Sequence, residues 1–376
     1  MNQKVRLLLV SSVFVDRGVE RILIFLYRFL PRDTYEIRLL CLRNLSPFAD
    51  YLNKNTDIRV DVIGMRHNLD IPALFRFYRY IKSFNPHIIN FHHFRAALWG
   101  GPFARMAGIP VILYSVHNKW GGRVHYLLDR LSARFTDALV PFSIAVKKHL
   151  LHVEKIDARY IEEPIYIGIE IDRFNNVSQE ECEVLKKELG LNNKQRIIGF
   201  VGNVSKQKGL AYLIEAIDII RKRSGDDVCC LIVGDGPEIE NLKIKTRELR
   251  LQNNFRFLGQ RYDTPRLLKT MEIFVLPSLW EGLPQVVIEA MAASCPVIAT
   301  DVDGTPEIIT HMKDGWLVPP ADANELATAI ERLLKDKPLR DRLSKDGFET
   351  VKRRFDINLM VQNYHRLYLN YLQRKT

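Results

Sequence analysis

From Val5 to Thr300 one pattern recurs: a short apolar run, often β-branched, then a longer segment with helical spacing. The runs are "VRLLLVSSV", "EIRLLCL", "HIINFHH", "PVILYSVH" and "DALVPFS", then "RIIGFVG", "CCLIVGDG", "FRFLG", "IFVLPS" and "PVIAT". They lack the alternation of a half-solvated strand, so both faces must be covered. Covered strands alternating with helices predict parallel sheets. A polar interval, "DRFNNVSQEECEVLKKELGLNNKQR" at 172–196, separates the two series. The expectation is therefore two doubly wound α/β domains, 1–180 and 181–355, which suits 376 residues at about 150 per domain. The last stretch, "FDINLMVQNYHRLYLNYLQRKT", spaces its aromatic residues as a helix does, and residues 356–376 are expected to pack back on the first domain.

Several classes drop out. No apolar run approaches the ~18 residues of a spanning helix. The opening "MNQKVRLLLVSSVFVDRG" meets Asp16 and Arg17 without a small-residue cleavage site, which fits a buried first strand better than a signal peptide. Five cysteines with no CxxC pair suggest neither a zinc site nor a disulfide framework, and a reducing cytoplasm fits best. The net charge of +11 is concentrated early: residues 1–181 hold 25 Lys and Arg against 18 Asp and Glu. Such an excess suits an anionic ligand, a nucleic acid or an acidic membrane face. No nucleic-acid recognition motif appears, and the absence of GxxxxGK[ST] excludes a P-loop ATPase. In "LFRFYRYIKSF", Arg76, Arg79 and Lys82 fall near one helical face among Phe75, Phe77, Tyr78, Tyr80 and Phe84. This mixture suits either an anionic membrane surface or an ordinary amphipathic helix with a solvated basic edge.

In open parallel sheets, ligands bind beyond the carboxyl ends of the strands. The loops to search are those holding Gly18, His92 and His93, His117, "GNVSKQKG", "GDGPE" and "SLWEGLPQ". The last opens the segment of greatest interest, which carries Glu281 and Glu289. Pro284 suits the first turn of a helix reading "QVVIEAMAA", apolar on nearly every face and hence buried. A carboxylate inside it needs a cation or hydrogen-bond donors, which a nearby arginine or a ligand diol such as ribose would supply. Glu281 precedes Gly282, where the backbone can approach a ligand closely. The free N–H groups at the helix start suit a phosphate.

The segment "SLWEGLPQVVIEAMAASCPVIATDVDGTPEII" resembles the E-x7-E region of glycosyltransferase family 4, the retaining nucleotide-sugar glycosyltransferases with the GT-B fold. "FVGNVSKQKGLAYLIEAI" is similar to that family's glycine-lysine loop, and "VGDGPE", "FRFLGQ" and "DGWLVPPADANELATAIERLL" follow in the family's order. The resemblance implies two facing Rossmann-like domains, with the donor bound mainly by the second and the acceptor by the first. It implies Lys208 on the donor diphosphate, Glu281 on the transferred sugar and Glu289 on the ribose hydroxyls. Gly202, Asn203, Gly282 and Leu283 would complete the donor site, and backbone near Gly259 and Arg261 would read the base. "VDRGVERIL" looks like the family's Gly-Gly-x-Glu-Arg segment, with Arg17 in place of the first glycine and Gly18 retained. The family often has an arginine where Asn203 stands, and Arg17 is a candidate to replace that cation at the donor phosphates.

His117 stands where the family often has a histidine near the donor sugar, so the catalytic set implied is His117, Lys208 and Glu281. His92 and His93 are candidates for the acceptor cleft or for packing. The activity implied is transfer, with retention, of a sugar from a UDP- or GDP-linked donor to a glycan or lipid-linked acceptor, in surface polysaccharide or glycoconjugate synthesis. The alternatives are a non-catalytic GT-B nucleotide-binding module and a nucleotide-sugar epimerase. No Asp-x-Asp signature occurs, so neither a divalent metal nor another cofactor is expected, and no nucleic acid is expected as a partner. The expected place is the cytoplasm, including the inner face of the cell membrane.

Overall fold

The computed structural model describes residues 4–15, 18–44, 46–67, 70–117, 122–191, 195–224 and 228–375. The chain forms two compact units, residues 1–168 with 357–376, and residues 169–356.

The first unit holds strands β1 (Val5–Ser11), β2 (Tyr35–Cys41), β3 (Val60–Val62), β4 (Ile88–Phe91), β5 (Val111–Val116) and β6 (Ala138–Pro141). All pair in parallel in the order β3-β2-β1-β4-β5-β6. The second unit repeats this winding with β7 (Arg196–Val201), β8 (Val228–Val233), β9 (Phe255–Gly259), β10 (Ile273–Leu276), β11 (Val297–Thr300) and β12 (Trp316–Val318), ordered β12-β11-β10-β7-β8-β9. Each sheet therefore reverses its order at its first strand, between β1 and β4 and between β7 and β10, and such a switch point opens a crevice beyond the strand ends. Helices cover the sheet faces, which is why Leu7, Leu8, Leu9 and Val10 are all excluded from solvent although they point alternately to both sides.

The first unit closes at Gly168, earlier than residue 180. The short helices Ile171–Asn175 and Gln179–Glu188 pack on the helices Thr264–Thr270 and Gln285–Ala292 and so belong to the second unit. Ser178 and Glu181 form a capping box that fixes where the second of these helices begins.

The C-terminal helix Ile357–Gln373 belongs to the first unit. Tyr364 and Tyr368 are fully buried there. The Tyr368 hydroxyl accepts from Asn90 Nδ2 at 2.9 Å, and Tyr364 Oη lies 3.0 Å from Ser115 Oγ. The aromatic rings thus supply apolar area while their hydroxyls satisfy polar groups on β4 and β5.

In the helix Ile71–Phe84, Phe77 and Phe84 are core residues. Arg76 donates to the carbonyls of Ile63 and Gly64, and Lys82 to that of Ala107. Two of its three cations therefore tie down loops of their own unit. Among the described residues, no helix is long and apolar enough to cross a membrane.

Candidate active site

In the second unit, the loops leaving β7, β8 and β9 lie backbone on backbone. Gly202 N–H donates to Val233 O at 2.9 Å, Val204 N–H to Asp235 O at 2.9 Å and Gly234 N–H to Gly259 O at 2.7 Å. A Cβ on Gly234 would sit 1.9 Å from the Gly202 carbonyl oxygen, and its φ of +125° excludes most other residues. The "GDG" of the sequence is thus a packing requirement of two adjoining loops.

The β7 loop ends in a tight turn, Lys206–Lys208, followed by Gly209 at φ +60°. A Cβ on Gly209 would lie 2.1 Å from the Pro277 carbonyl oxygen, so the turn presses on the end of β10. Leu279 N–H donates to Gln207 O at 2.7 Å, and the Gln207 amide donates to Trp280 O at 2.9 Å. This clasp between "SKQKG" and "SLWEG" brings Lys208 Nζ to 2.5 Å from Glu281 Oε1. Ser278 Oγ donates to the same oxygen at 2.6 Å, while Glu281 N–H donates to Asp303 Oδ2 at 2.9 Å. The side chains of Lys208 and Glu281 are 16% and 7% exposed, so the pair lies largely out of water, where its attraction is strong.

Glu289 follows in the helix Gln285–Ala292, whose residues Val287, Ile288 and Ala290–Ala292 are buried. It is 8% exposed, and its Oε1 accepts from Gln285 Nε2 at 3.2 Å. Gly282 and Leu283 are half-buried between the two glutamates, with Asn203 exposed on the β7 loop. Gly259 ends β9 with open space where a Cβ would stand. The Arg261 guanidinium is held in a fork by Asp263, at 2.8 and 2.7 Å, so its charge is spent inside the unit.

The first unit gathers the other expected residues at the ends of β1, β4 and β5. His92 is fully buried; its Nδ1 lies 3.3 Å from His117 Nε2, and its Nε2 has no hydrogen-bond partner among the described residues. Burial, with the charge of His93 second, pushes His92 down to about 3. His117, one residue past β5, stacks on Phe142 at 4.0 Å between ring centroids. Burial and the adjacent His92 and His93 hold it well below the usual histidine range, so it is neutral at neutral pH. His93 Nδ1 lies 2.8 Å from Ser11 Oγ, and its Nε2 is 3.6 Å from the buried Glu20. Gly18 opens the helix Gly18–Phe29 that carries Glu20. Arg17 lies outside the described residues.

Sequence reasoning passed over Ser11, Glu20, Ser278 and Asp303. Only Glu20 carried a signal, as the acid of "VERIL". Ser11 is a short polar side chain at the end of β1, Ser278 and Asp303 lie in loops, and nothing local marks them. Among the described residues, no group of three or more His, Cys, Asp or Glu is arranged to hold a metal ion.

The model of the family described as glycosyl transferases group 1 matches residues 182–350, and that of glycosyltransferase family 4 matches residues 17–173. An Escherichia coli relative, UDP-Gal:alpha-D-GlcNAc-diphosphoundecaprenol alpha-1,3-galactosyltransferase, is 27% identical over 100% of this chain and 99% of its own. A solved glycosyltransferase from Rickettsia africae superposes with a TM-score of 0.86 at 25% identity, covering 98% of this chain and 99% of the other. Anabaena Alr3699/HepE, solved in complex with UDP and glucose, gives 0.86 at 21% identity over 97% of this chain and all of its own.

Proposed function

This chain belongs to glycosyltransferase family 4 and has its two-domain, Rossmann-like GT-B fold, and we propose that it transfers a hexose, with retention, from a UDP-linked donor to a lipid-diphosphate-linked saccharide during surface polysaccharide assembly. The observation that carries the reading is the clasp that sets Lys208 against Glu281, with Glu289 further along the same loop-helix unit. Full-length similarity to an enzyme named for UDP-galactose and a diphosphate-linked lipid acceptor supports the choice of donor and acceptor class.

Without donor, Lys208 and Glu281 neutralise each other. On donor binding, the diphosphate takes the ammonium of Lys208, the sugar hydroxyls donate to Glu281, and the ribose diol donates to Glu289. Lys208 then faces the oxygen on which negative charge grows as the bond from C1 to the diphosphate breaks. The acceptor hydroxyl attacks C1 on the leaving-group face and forms the new glycosidic bond there. Its proton passes to the departing diphosphate, so configuration is kept and no covalent enzyme intermediate forms. Asn203 leaves this site one cation short of the family pattern. Neutral His117 is the first unit's candidate hydrogen-bonding group. With a nucleotide-sugar donor, the place proposed for the reaction is the cytoplasm.

The test is titration with UDP, GDP and ADP, then incubation of UDP-galactose and UDP-glucose with a polyprenyl-diphosphate-linked N-acetylglucosamine. Selective UDP binding and an α-linked disaccharide lipid are expected. An epimerised sugar nucleotide formed without acceptor, or no UDP binding, would overturn the reading. With Lys208 neutralising the leaving group, initial rates should stay within about twofold in EDTA; abolition that magnesium restores would show that a metal carries that charge instead.

A further inference from the structure

The helix Arg123–Ala133 of the first unit is apolar on its inner side and also on part of its outer side. Leu128 packs on the core, whereas Val124, Leu127 and Leu131 are 74%, 65% and 43% exposed. Their i, i+3, i+7 spacing puts the three in one outward stripe. Arg130 and Arg134, both exposed, follow along one edge of it. The helix's one carboxylate, Asp129, lies on the inner side and is 3% exposed.

The neighbouring turn His149–Val153 extends this face. The rings of Tyr126 and His149 are 5.7 Å apart, and Arg130 Nε donates to the Glu154 carbonyl. The turn adds exposed Val153, with exposed Lys148 and Lys155 on either side, while Glu154 is buried. Arg134, Lys148 and Lys155 have no ion-pair partner among the described residues. Asp157, the nearest exposed acid in sequence, is taken by Arg159 at 3.2 Å. Aliphatic side chains held in water beside cations without counter-charges are stabilised by a surface that is apolar below and anionic above.

We propose that this face seats the first unit on an anionic lipid bilayer. The helix lies in the headgroup plane, Val124, Leu127 and Leu131 enter the acyl boundary, and Arg134, Lys148 and Lys155 meet lipid phosphates. The helix Ile71–Phe84 serves less well, because Arg76 and Lys82 are engaged by backbone carbonyls. The proposal needs neither donor nor acceptor; if the acceptor is lipid-linked, it brings the enzyme to the acceptor's own phase.

The experiment is sedimentation of the full chain with vesicles of phosphatidylglycerol and phosphatidylcholine in equal parts, and with phosphatidylcholine alone. Wild type should bind the mixed vesicles at low salt, and less at high salt. Leu127→Glu/Leu131→Glu should weaken binding about tenfold or more, and Arg134→Glu should weaken it by a smaller factor. Phe75→Glu/Arg79→Glu should stay within about twofold of wild type. All the substitutions are at exposed positions, and unchanged melting curves and UDP titrations check that the variants are folded. No binding to mixed vesicles, equal binding to phosphatidylcholine alone, or loss only in the Phe75/Arg79 variant would overturn the proposal. A dimer in solution that Leu127→Glu/Leu131→Glu dissolves would likewise overturn it, by assigning the face to a second copy. The titration and transfer assays read the donor site separately, so failure here leaves the proposed activity standing, and the reverse also holds.

Discussion

Glu281 and Glu289 are both kept almost out of water, yet they are satisfied differently. Glu281 has an ammonium and a hydroxyl on one oxygen, whereas an amide from Gln285 reaches Glu289. Removing one partner of a largely buried pair leaves the other charge uncompensated, while removing both charges together is close to neutral. Lys208→Met should therefore lower stability by about 2 kcal/mol and kcat by about a hundredfold or more. Lys208→Met/Glu281→Gln should regain most of the stability and none of the activity. Thermal unfolding and initial rates of the single and double variants decide this, and recovered activity in the double variant would refute the assigned roles. Glu281 and Glu289 stood out in the sequence because carboxylates are rare in so apolar a segment, whereas Lys208, in the polar "SKQKG", was marked only by the resemblance of its loop. Asp303 was not legible, since its bond to the Glu281 amide spans a helix and a strand of intervening chain and leaves no local mark.

At the scale of elements, the apolar runs predict β1, β2 and β4 to β11. The two strands they miss, β3 and β12, are three-residue strands at sheet edges, where one neighbour suffices and no long apolar run is needed. Also illegible was the π-helical turn His149–Val153, which sets Glu154 beside Asp129 of the helix Arg123–Ala133. His125 at 3.9 Å, His149 at 3.3 Å, Arg130 and Tyr114 surround the two carboxyls. Burial lifts Asp129 to about 7; burial first, and the charge of Asp129 second, lift Glu154 to about 8. Folding thus tightens proton binding. The stability this contributes is whole below the ordinary carboxylate range and is lost as pH rises through about 7 and about 8. Asp129→Asn keeps a hydrogen-bonding side chain without the charge. At pH 8 it should be more stable than wild type by on the order of 2 kcal/mol, and at pH 4 no more stable. Urea unfolding at both pH values tests this, and parallel pH dependences for the two proteins would contradict it.

Across the whole molecule, the chain leaves the first unit at Gly168 and re-enters it at Ile357, so its last helix stabilises residues laid down at its start. Tyr368, with no exposed surface, accepts from Asn90 on β4, and its ring lies 6.3 Å from that of Tyr35 on β2. Aromatic periodicity in "LMVQNYHRLYLNY" pointed to a helix, but not to the polar groups its hydroxyls would satisfy. Tyr368→Ala opens a cavity and orphans the Asn90 amide, a loss of about 3–5 kcal/mol. The loss should fall on one unit. Each unit has its own six-stranded sheet and core, and domains so built can unfold as separate cooperative blocks. UDP at a hundred times its dissociation constant adds about 2.7 kcal/mol to whichever unit holds it. Calorimetry should then show two transitions, one lowered by Tyr368→Ala and indifferent to UDP, the other raised by UDP and indifferent to the substitution. A single transition moved by both would mean that the units unfold together. A UDP response confined to the transition that Tyr368→Ala lowers would place the nucleotide in the first unit, against the role proposed for Lys208, Glu281 and Glu289.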